Sequence, residues 1–494
     1  MAASIGTGPV ADAFNAAFRF PNSFRRLLGE GALNSAFVPL FSKKIAQEGK
    51  IEATAFATKV FSALTTILLL LTFFIEVLLP VLIRYVIAPG FHADPAKFNA
   101  CLHFSHIMFP YLSCMSLAAL IGGILNALQR YFVAAIAPVL LNIFLITILV
   151  YCWWTRANTW QIGSMLSFGV LAAGIAQALL VWFAMRAQGV FITFAKPHFT
   201  PELRHLLKIA LPAALTGGVT QINLLVNTSI ASSQAGAISA LAYADRLYQL
   251  PLGVVGVAIG TVLLPEMARI LQANPKAPTT QIQNTAIQFS LFLTLPASTA
   301  FLIIAVPIVR LLYEHGHFSV HSTIIVAQLL QIYGIGLPAF ILIKTFLPNF
   351  FARGDTKTPL YFSLVSVIIN ITLALLLFPC LHARGIALAE ICSAWVNTAL
   401  LFFTLVKRNY LALEFRQLKD VACLCFSSCL MGFVLSYGVS YFQENLSPHA
   451  PLVKLLSTTM GLILAAGALY CLCSFLLCPA AFSQIKTKQP RNPL

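Results

Sequence analysis

Charge is what this sequence has least of. Only 9% of its 494 residues are Asp, Glu, Lys or Arg, whereas a soluble domain carries roughly 25%. Acid is the scarcer sign, with 15 carboxylates against 31 Lys and Arg. Long polar stretches are lacking too, which leaves no room for a sizeable soluble domain. There is no Gly-rich P-loop, which argues against ATP hydrolysis of that type. Residues 1–9 lack the basic and apolar regions of a cleavable signal peptide. No nucleophile and base constellation is recognisable, so no catalytic residue is assigned and the chain does not read as an enzyme. The 11 cysteines do not form a disulfide ladder. Cys423, Cys425 and Cys429, or Cys471, Cys473 and Cys478, lie in apolar runs and read as small apolar residues. His103, His106, His315, His317 and His321 make no metal cluster; the last three fall in YEHGHFSVHS, an expected external, solvated loop. No cofactor is expected, and no coupling ion is assigned.

What remains is apolar. The chain is 59% hydrophobic with a mean hydropathy of +0.86. A run of about 20 apolar residues can cross a bilayer. Such runs fall at about 59–86, 103–127, 132–153, 162–186, 205–231, 237–268, 284–312, 323–350, 359–379, 384–406, 419–442 and 453–478. A further helix over 10–44, bent at Pro21 and near Pro39 and followed by a polar basic loop with Lys43, Lys44 and Lys50, makes 13 spans. Within a bilayer backbone groups must pair internally, so the fold is all-α and polytopic. The loops at 43–58, 128–131, 187–204, 269–283, 351–358 and 407–418 and the C-terminal tail hold most loop Lys and Arg. The opposite loops hold little more than Lys97, Arg156 and Lys454. This asymmetry places the C-terminus in the cytoplasm. The net charge of +16 is therefore topological, not a sign of a nucleic-acid partner.

Two pieces recur. RFPNSFRRLLGEGALNSAFVPLFSKK resembles RLYQLPLGVVGVAIGTVLLPEMAR, with Pro21 and Pro251 230 residues apart. NALQRYFVAAIAPVLLNI resembles NFFARGDTKTPLYFSLVSVIIN, with Arg130 and Arg353 223 apart. Similar offsets in the same order suggest a duplication of six-helix units related in parallel. The organisation expected is an N-terminal lobe at 1–190, a C-terminal lobe at 200–408, two extra helices within 417–480 and a cytoplasmic tail at 481–494. The second copy is preceded by the span 205–231, so the duplication predicts one more helix upstream of Met1, for 14 in all.

Charges at membrane depth carry the functional signal. Each costs roughly 2.5–3.5 kcal/mol at mid-bilayer on insertion scales. Arg19, Arg25, Arg26, Arg246 and Lys344 should therefore face water or find partners. Asp12, Asn15, Arg19, Asn22, Arg26 and Glu30 follow one another at spacings of 3 or 4, which puts them on one helical face, with Arg25 off the stripe. Ser239, Tyr243 and Arg246 share a face in the second copy. Internal pairing, such as Arg26 with Glu30, is the alternative for any one residue. For the set, an excess of fixed cations suits an anionic, phosphate-bearing substrate. Glu76 and Glu390 fit either helix contacts or a proton path, and Lys344 is given no role.

DAFNAAFRFPNSFRRLLGEGALNSAFVPLFSK resembles the second-helix signature of the MurJ/MviN lipid II flippases, in the multidrug/oligosaccharidyl-lipid/polysaccharide exporter superfamily. IAPGF at 87–91, GGILNALQRYFVAAIAPVLLNI at 122–143, YADRLYQLPLGVVGVAIGTVLLPEMAR at 243–269 and FFARGDTKTP at 350–359 match in family order. The resemblance implies two six-helix lobes flanking a central cationic cavity, plus two C-terminal helices forming a lipid groove. It implies a bacterial inner-membrane protein that moves the undecaprenyl-diphosphate-linked peptidoglycan precursor to the outer leaflet for cell-wall synthesis. Its partners would be that lipid-linked anion, membrane lipids and the cell-wall synthesis machinery. Substrate-binding positions carried over are Asp12, Asn22, Arg25, Arg26 and Glu30, with Ser239 and Arg246 in the second lobe. Family members begin with a further helix, which the resemblance, like the duplication, leads one to expect upstream of Met1. The alternatives are a multidrug or other lipid-linked oligosaccharide exporter on the same scaffold, of which an exporter of cationic drugs would favour an acidic cavity, and a membrane glycosyltransferase, which would need a catalytic acid and a long loop.

Overall fold

Helix starts and stops follow local chemistry in the computed structural model, which describes residues 1–25, 33–196, 200–273, 279–412 and 415–477. The first helices are α1 (Ala2–Ile5), α2 (Pro9–Arg25) and α3 (Leu33–Leu82). α4 (Pro95–Met108) and α5 (Tyr111–Ala127) follow, then α6 (Tyr131–Ile136), α7 (Val139–Trp154), α8 (Thr159–Ala187) and α9 (Pro201–Ala231). The Asp94 carboxylate caps α4 by accepting from the amides of Ala96 and Lys97. Asn158 and Gln161 make a reciprocal capping box on α8. Then come α10 (Ala237–Ala273), α11 (Thr280–Ile303), α12 (Ala305–Tyr313), α13 (Val320–Ala352), α14 (Lys357–Leu381), α15 (Ala383–Lys407), α16 (Phe415–Tyr441) and α17 (Leu452–Leu477). α5, α8, α13 and α15 end on left-handed Gln129, Gly189, Gly354 and Asn409. The next amide reaches back to the carbonyl of Leu125, Met185, Phe350 or Leu405, the closure that satisfies a helix's last carbonyls.

The protein is an all-α polytopic membrane protein. Among the described residues, ten helical stretches are long and apolar enough to cross a membrane. The other three expected spans are also helical over their described residues. α9 and α10, at 31 and 37 residues, exceed a 30 Å hydrocarbon core at about 1.5 Å per residue. Pro21 and Pro39 lie inside helices, as the expected opening helix has them. The basic stretch expected as a loop differs: it is helical, with a break at Gly49 (φ 87°, ψ 173°). Lys44 and Glu48 pair at 2.8 Å one turn apart, which supports helix here, and only glycine takes the backbone of residue 49 without strain.

The chain forms two compact units, one running to Ser239 and the other from Ala240. In the first, the rings of Phe37, Phe41 and Phe56 stack at 5.3 and 5.8 Å in a core completed by α5 and α8. α9 packs on α3. α7 buries only Cys152 and exposes Ile146, Val150, Trp153 and Trp154; an apolar helix of this kind with terminal tryptophans suits a lipid-facing position. In the second, α11, α13, α14 and α15 interlock. α16 and α17 dock on α11, where the Tyr470 ring lies 5.5 Å from that of Phe292 and its hydroxyl donates to the Phe292 carbonyl at 2.9 Å. The α13–α14 turn is clamped. Arg353 stacks 3.8 Å from the Tyr410 ring, and Arg408 donates to Asp355 at 2.6 Å. The turn holding His315 and His317, and His321 just after it, are exposed as expected.

Candidate functional site

The polar face of α2 grades from buried to open. Asp12 is fully buried. Its carboxylate accepts from Lys97 Nζ at 2.7 Å, the Gly236 amide at 2.7 Å, and the Ser239 amide and hydroxyl at 2.9 and 2.7 Å. Lys97 is itself buried and lies 4.3 Å from the centre of the Phe91 ring. Four donors on one carboxylate tie α2 to α4 and to the start of α10. One turn on, Asn15 donates to its own helix at the Ala11 carbonyl, 2.8 Å away. Arg19 reaches α9, donating to Thr228 Oγ1 at 2.7 Å. Farther along, Asn22 Oδ1 accepts from Arg25 Nε at 2.9 Å.

Arg25 then borders a pocket of about 390 Å³ between α5, α6 and α8. Small residues such as Gly122 and Ala134 make the room; Gln177, Asn126 and Tyr131 supply the polar atoms. The resemblance drew attention to Arg25, while the helical stripe favoured Arg26. Arg26 and Glu30 lie outside the described residues.

In the second unit Tyr243 is buried against Tyr313 and Phe318, with ring centres 5.2 and 5.6 Å away. Arg246 is exposed and near enough to act electrostatically on Tyr313. It has no hydrogen bond or ion pair among the described residues. Lys344 lies against Gly256, where an added Cβ would come within 2.8 Å of its Nζ. It too has no polar partner among the described residues. Glu76 and Glu390 make helix contacts, with His106 at 2.5 Å and with the Tyr333 hydroxyl at 3.2 Å.

The structure therefore brings Asp12 together with Ser239, and Asn22 with Arg25. It also engages residues that the sequence reading passed over. Lys97 carried a signal: a lone lysine on the side of the membrane where basic residues are few. Gln177 carried a weaker one, an amide in the middle of an apolar helix. Thr228 carried none, because a helical threonine can satisfy itself, as this one does at the Leu224 carbonyl. No group of three or more metal-ligating side chains occurs among the described residues.

The family model for lipid II flippase MurJ matches residues 1–457. A probable lipid II flippase MurJ of Rhizobium meliloti (strain 1021) is 52% identical over 492 residues, covering 100% of this chain and 92% of the relative. One of Rhizobium tropici is 47% identical, covering 97% and 90%. A solved lipid II flippase MurJ in an inward closed conformation superposes with a TM-score of 0.78 at 26% identity, covering 96% of this chain and 94% of that one. With the motifs in order along the sequence and the helices in order along the structure, the chain belongs to the lipid II flippase MurJ family.

Proposed function

We propose that this chain moves lipid II, the undecaprenyl-diphosphate-linked peptidoglycan precursor, from the cytoplasmic to the outer leaflet of the bacterial inner membrane. It acts as a transporter and not an enzyme. The observation that carries the reading is a family likeness spanning residues 1–457 rather than a single block. The exporter of cationic drugs is not favoured. Asp12 and Glu314 are held in ion pairs with Lys97 and Arg310, while Arg246 and Lys344 remain as unpaired cations among the described residues.

Arg25, steadied by Asn22, and Arg246 are the residues assigned to offer planar forks of donors to phosphate. Asp12 and Ser239 hold the first turn of α10. Arg26 and Glu30 are carried over from the resemblance alone. The C-terminus faces the cytoplasm, a reading supported by the basic loops. Substrate chemistry makes the cell-wall synthesis machinery the natural partner. Because the cytoplasm is negative, an anion moving outward goes downhill by about 2.3 kcal/mol per charge per 100 mV.

The test is growth of a flippase-depleted strain on variants inserted at normal levels. Arg25→Glu and Arg246→Glu abolish complementation; the corresponding Arg→Lys changes keep the charge, lose the fork and are milder. Normal growth on both Glu variants would refute the assignment of these residues.

A further inference from the structure

α9 is fastened within the first unit at both ends, and the two fastenings differ in kind. At one end Thr228 and Ser232 are buried. Thr228 Oγ1 accepts from Arg19 at 2.7 Å, and Ser232 Oγ accepts from the Gly90 amide at 2.8 Å. At the other end, which the basic loops place in the cytoplasm, the fastening is one carboxylate. Glu202, in the first turn of α9, accepts from Lys44 Nζ at 2.8 Å and from Lys59 Nζ at 3.4 Å. These two lysines lie on either side of the break at Gly49, so Glu202 bridges both arms of α3.

The cytoplasmic fastening is the one that can open cheaply. Glu202 is 36% exposed and Lys59 47%, so water and salt screen these pairs and each contributes little. Opening strands no charge. Lys44 keeps Glu48 at 2.8 Å, while Glu202 and Lys59 are taken up by water. The opposite end has no such exit, because Thr228 and Ser232 are shut away from water and would lose their partners outright.

We infer that Glu202 is a positioning residue of the transport cycle: an ionic latch whose release frees the cytoplasmic end of α9 from α3 while the other end stays fixed. The sequence repeat makes α9 the first helix of the second copy, yet it packs within the first unit. Alternating access moves one repeat against the other, so the seam between α9 and α3 is one that the cycle opens. This rests on the reading of the chain as a carrier and deepens it.

The first test needs no substrate. Leu206 is buried in the core shared by α3 and α9, and Ala231 is buried at the far end of α9. On the purified full chain, Leu206→Cys and Ala231→Cys are each treated with a water-soluble thiol reagent, and the modified peptide is identified by mass. Adding Glu202→Gln speeds reaction at position 206 about fivefold, within what two exposed ion pairs supply, and leaves position 231 unchanged. High salt speeds position 206 when Glu202 is present and not when it is glutamine. No change at 206, or equal changes at both ends, overturns the latch. The second test asks whether the cycle uses it. Lys44→Cys combined with Glu202→Cys is joined by a reducible bifunctional thiol reagent, with each single variant treated alike. Lipid II transport in proteoliposomes falls at least about tenfold in the joined protein alone and returns on reduction; undiminished transport while joined overturns the inference. Failure of the untreated wild type to carry lipid II would overturn the reading beneath, and the reaction rates at 206 and 231 would still decide the latch.

Discussion

Replacing Asp12 by alanine is the sharpest test of how the polar face of α2 is held. The carboxylate is fully buried and takes four donors: Lys97 Nζ, the amides of Gly236 and Ser239, and the Ser239 hydroxyl. Removing one member of a buried ion pair costs about 3–5 kcal/mol, because the other charge stays buried and unpaired. Each amide that loses its acceptor adds about 1–3 kcal/mol, less whatever water entering the cavity restores. Asp12→Ala should therefore destabilise the first unit by at least about 4 kcal/mol. Lys97→Met should cost less, because the Asp12 carboxylate keeps three of its four donors. In the double variant no charge is stranded, so it should be clearly more stable than the sum of the two singles predicts. Reversible unfolding in mixed micelles gives all four corners of this cycle. A stability for Asp12→Ala within about 1 kcal/mol of wild type would refute the reasoning. So would a Lys97→Met variant less stable than Asp12→Ala. Loss of transport in Asp12→Ala with unchanged stability would instead make Asp12 a direct substrate contact.

Three other outcomes follow from particular contacts. An alanine at Gly90 would put its Cβ 2.4 Å from the backbone of Ser232; Gly90→Ala should separate the 89–93 turn from α9 and lower the melting temperature by several degrees, while Gly253→Ala, which meets nothing within 4 Å, should not. Burial raises the Asp355 carboxyl, but the Thr358 amide, Arg408 and the Thr358 hydroxyl outweigh it and hold it at about 2. A depressed carboxyl stabilises above its unfolded value near 3.9 and loses that contribution as pH falls towards 2, so the advantage of wild type over Asp355→Asn should be constant above about pH 5 and shrink below it; the effect is modest because Arg408 is 39% exposed. In proteoliposomes, transport should rise with an outside-positive potential, and indifference to the potential would remove the electrical part of the mechanism.

Much of the fold was legible because a membrane leaves few choices. Apolar runs longer than the hydrocarbon core had to be helices, and the expected spans from 59–86 to 453–478 all fall on helices over their described residues. Residues 43–58 are helical on either side of Gly49 although polar, because Lys, Glu and Gln are good helix formers and charge alone does not make a loop. The backbone break falls at Gly49, where φ near 87° is a conformation that glycine alone adopts without strain. The site was legible only in part. Helical spacing placed Asp12 and Asn22 on one face, but it says nothing of which distant segment meets that face. Lys97 is 85 residues from Asp12 in the chain, and Ser239 is 227 away. The expected lobes at 1–190 and 200–408 describe ancestry by duplication, which contact-based units ending at Ser239 do not address.

Charges within and beside the membrane spans of this chain fall into two kinds, and the division bears on mechanism. The first kind is matched within its own unit: Asp12 with Lys97 at 2.7 Å, Arg310 with Glu314 at 3.1 Å, Arg19 with Thr228 at 2.7 Å. These are buried or half-buried, and their bonds tie one helix to another or one turn to the next. Neutralising one side strands the other, so their loss is read as instability. The second kind is Arg246 and Lys344, exposed and without polar partners among the described residues. Nothing in the fold is stranded when one of these is replaced, so their loss should be read as lost transport at unchanged stability. The sign of the second kind is uniformly positive. A carrier that must release its cargo cannot match its binding charges internally, because the match would compete with the substrate in every cycle. An anionic lipid is then the cargo for which leaving these cations open is useful, and stability and complementation measured side by side on Lys97→Met and Arg246→Gln separate the two kinds. The first should melt early, and the second should melt normally and fail to support growth.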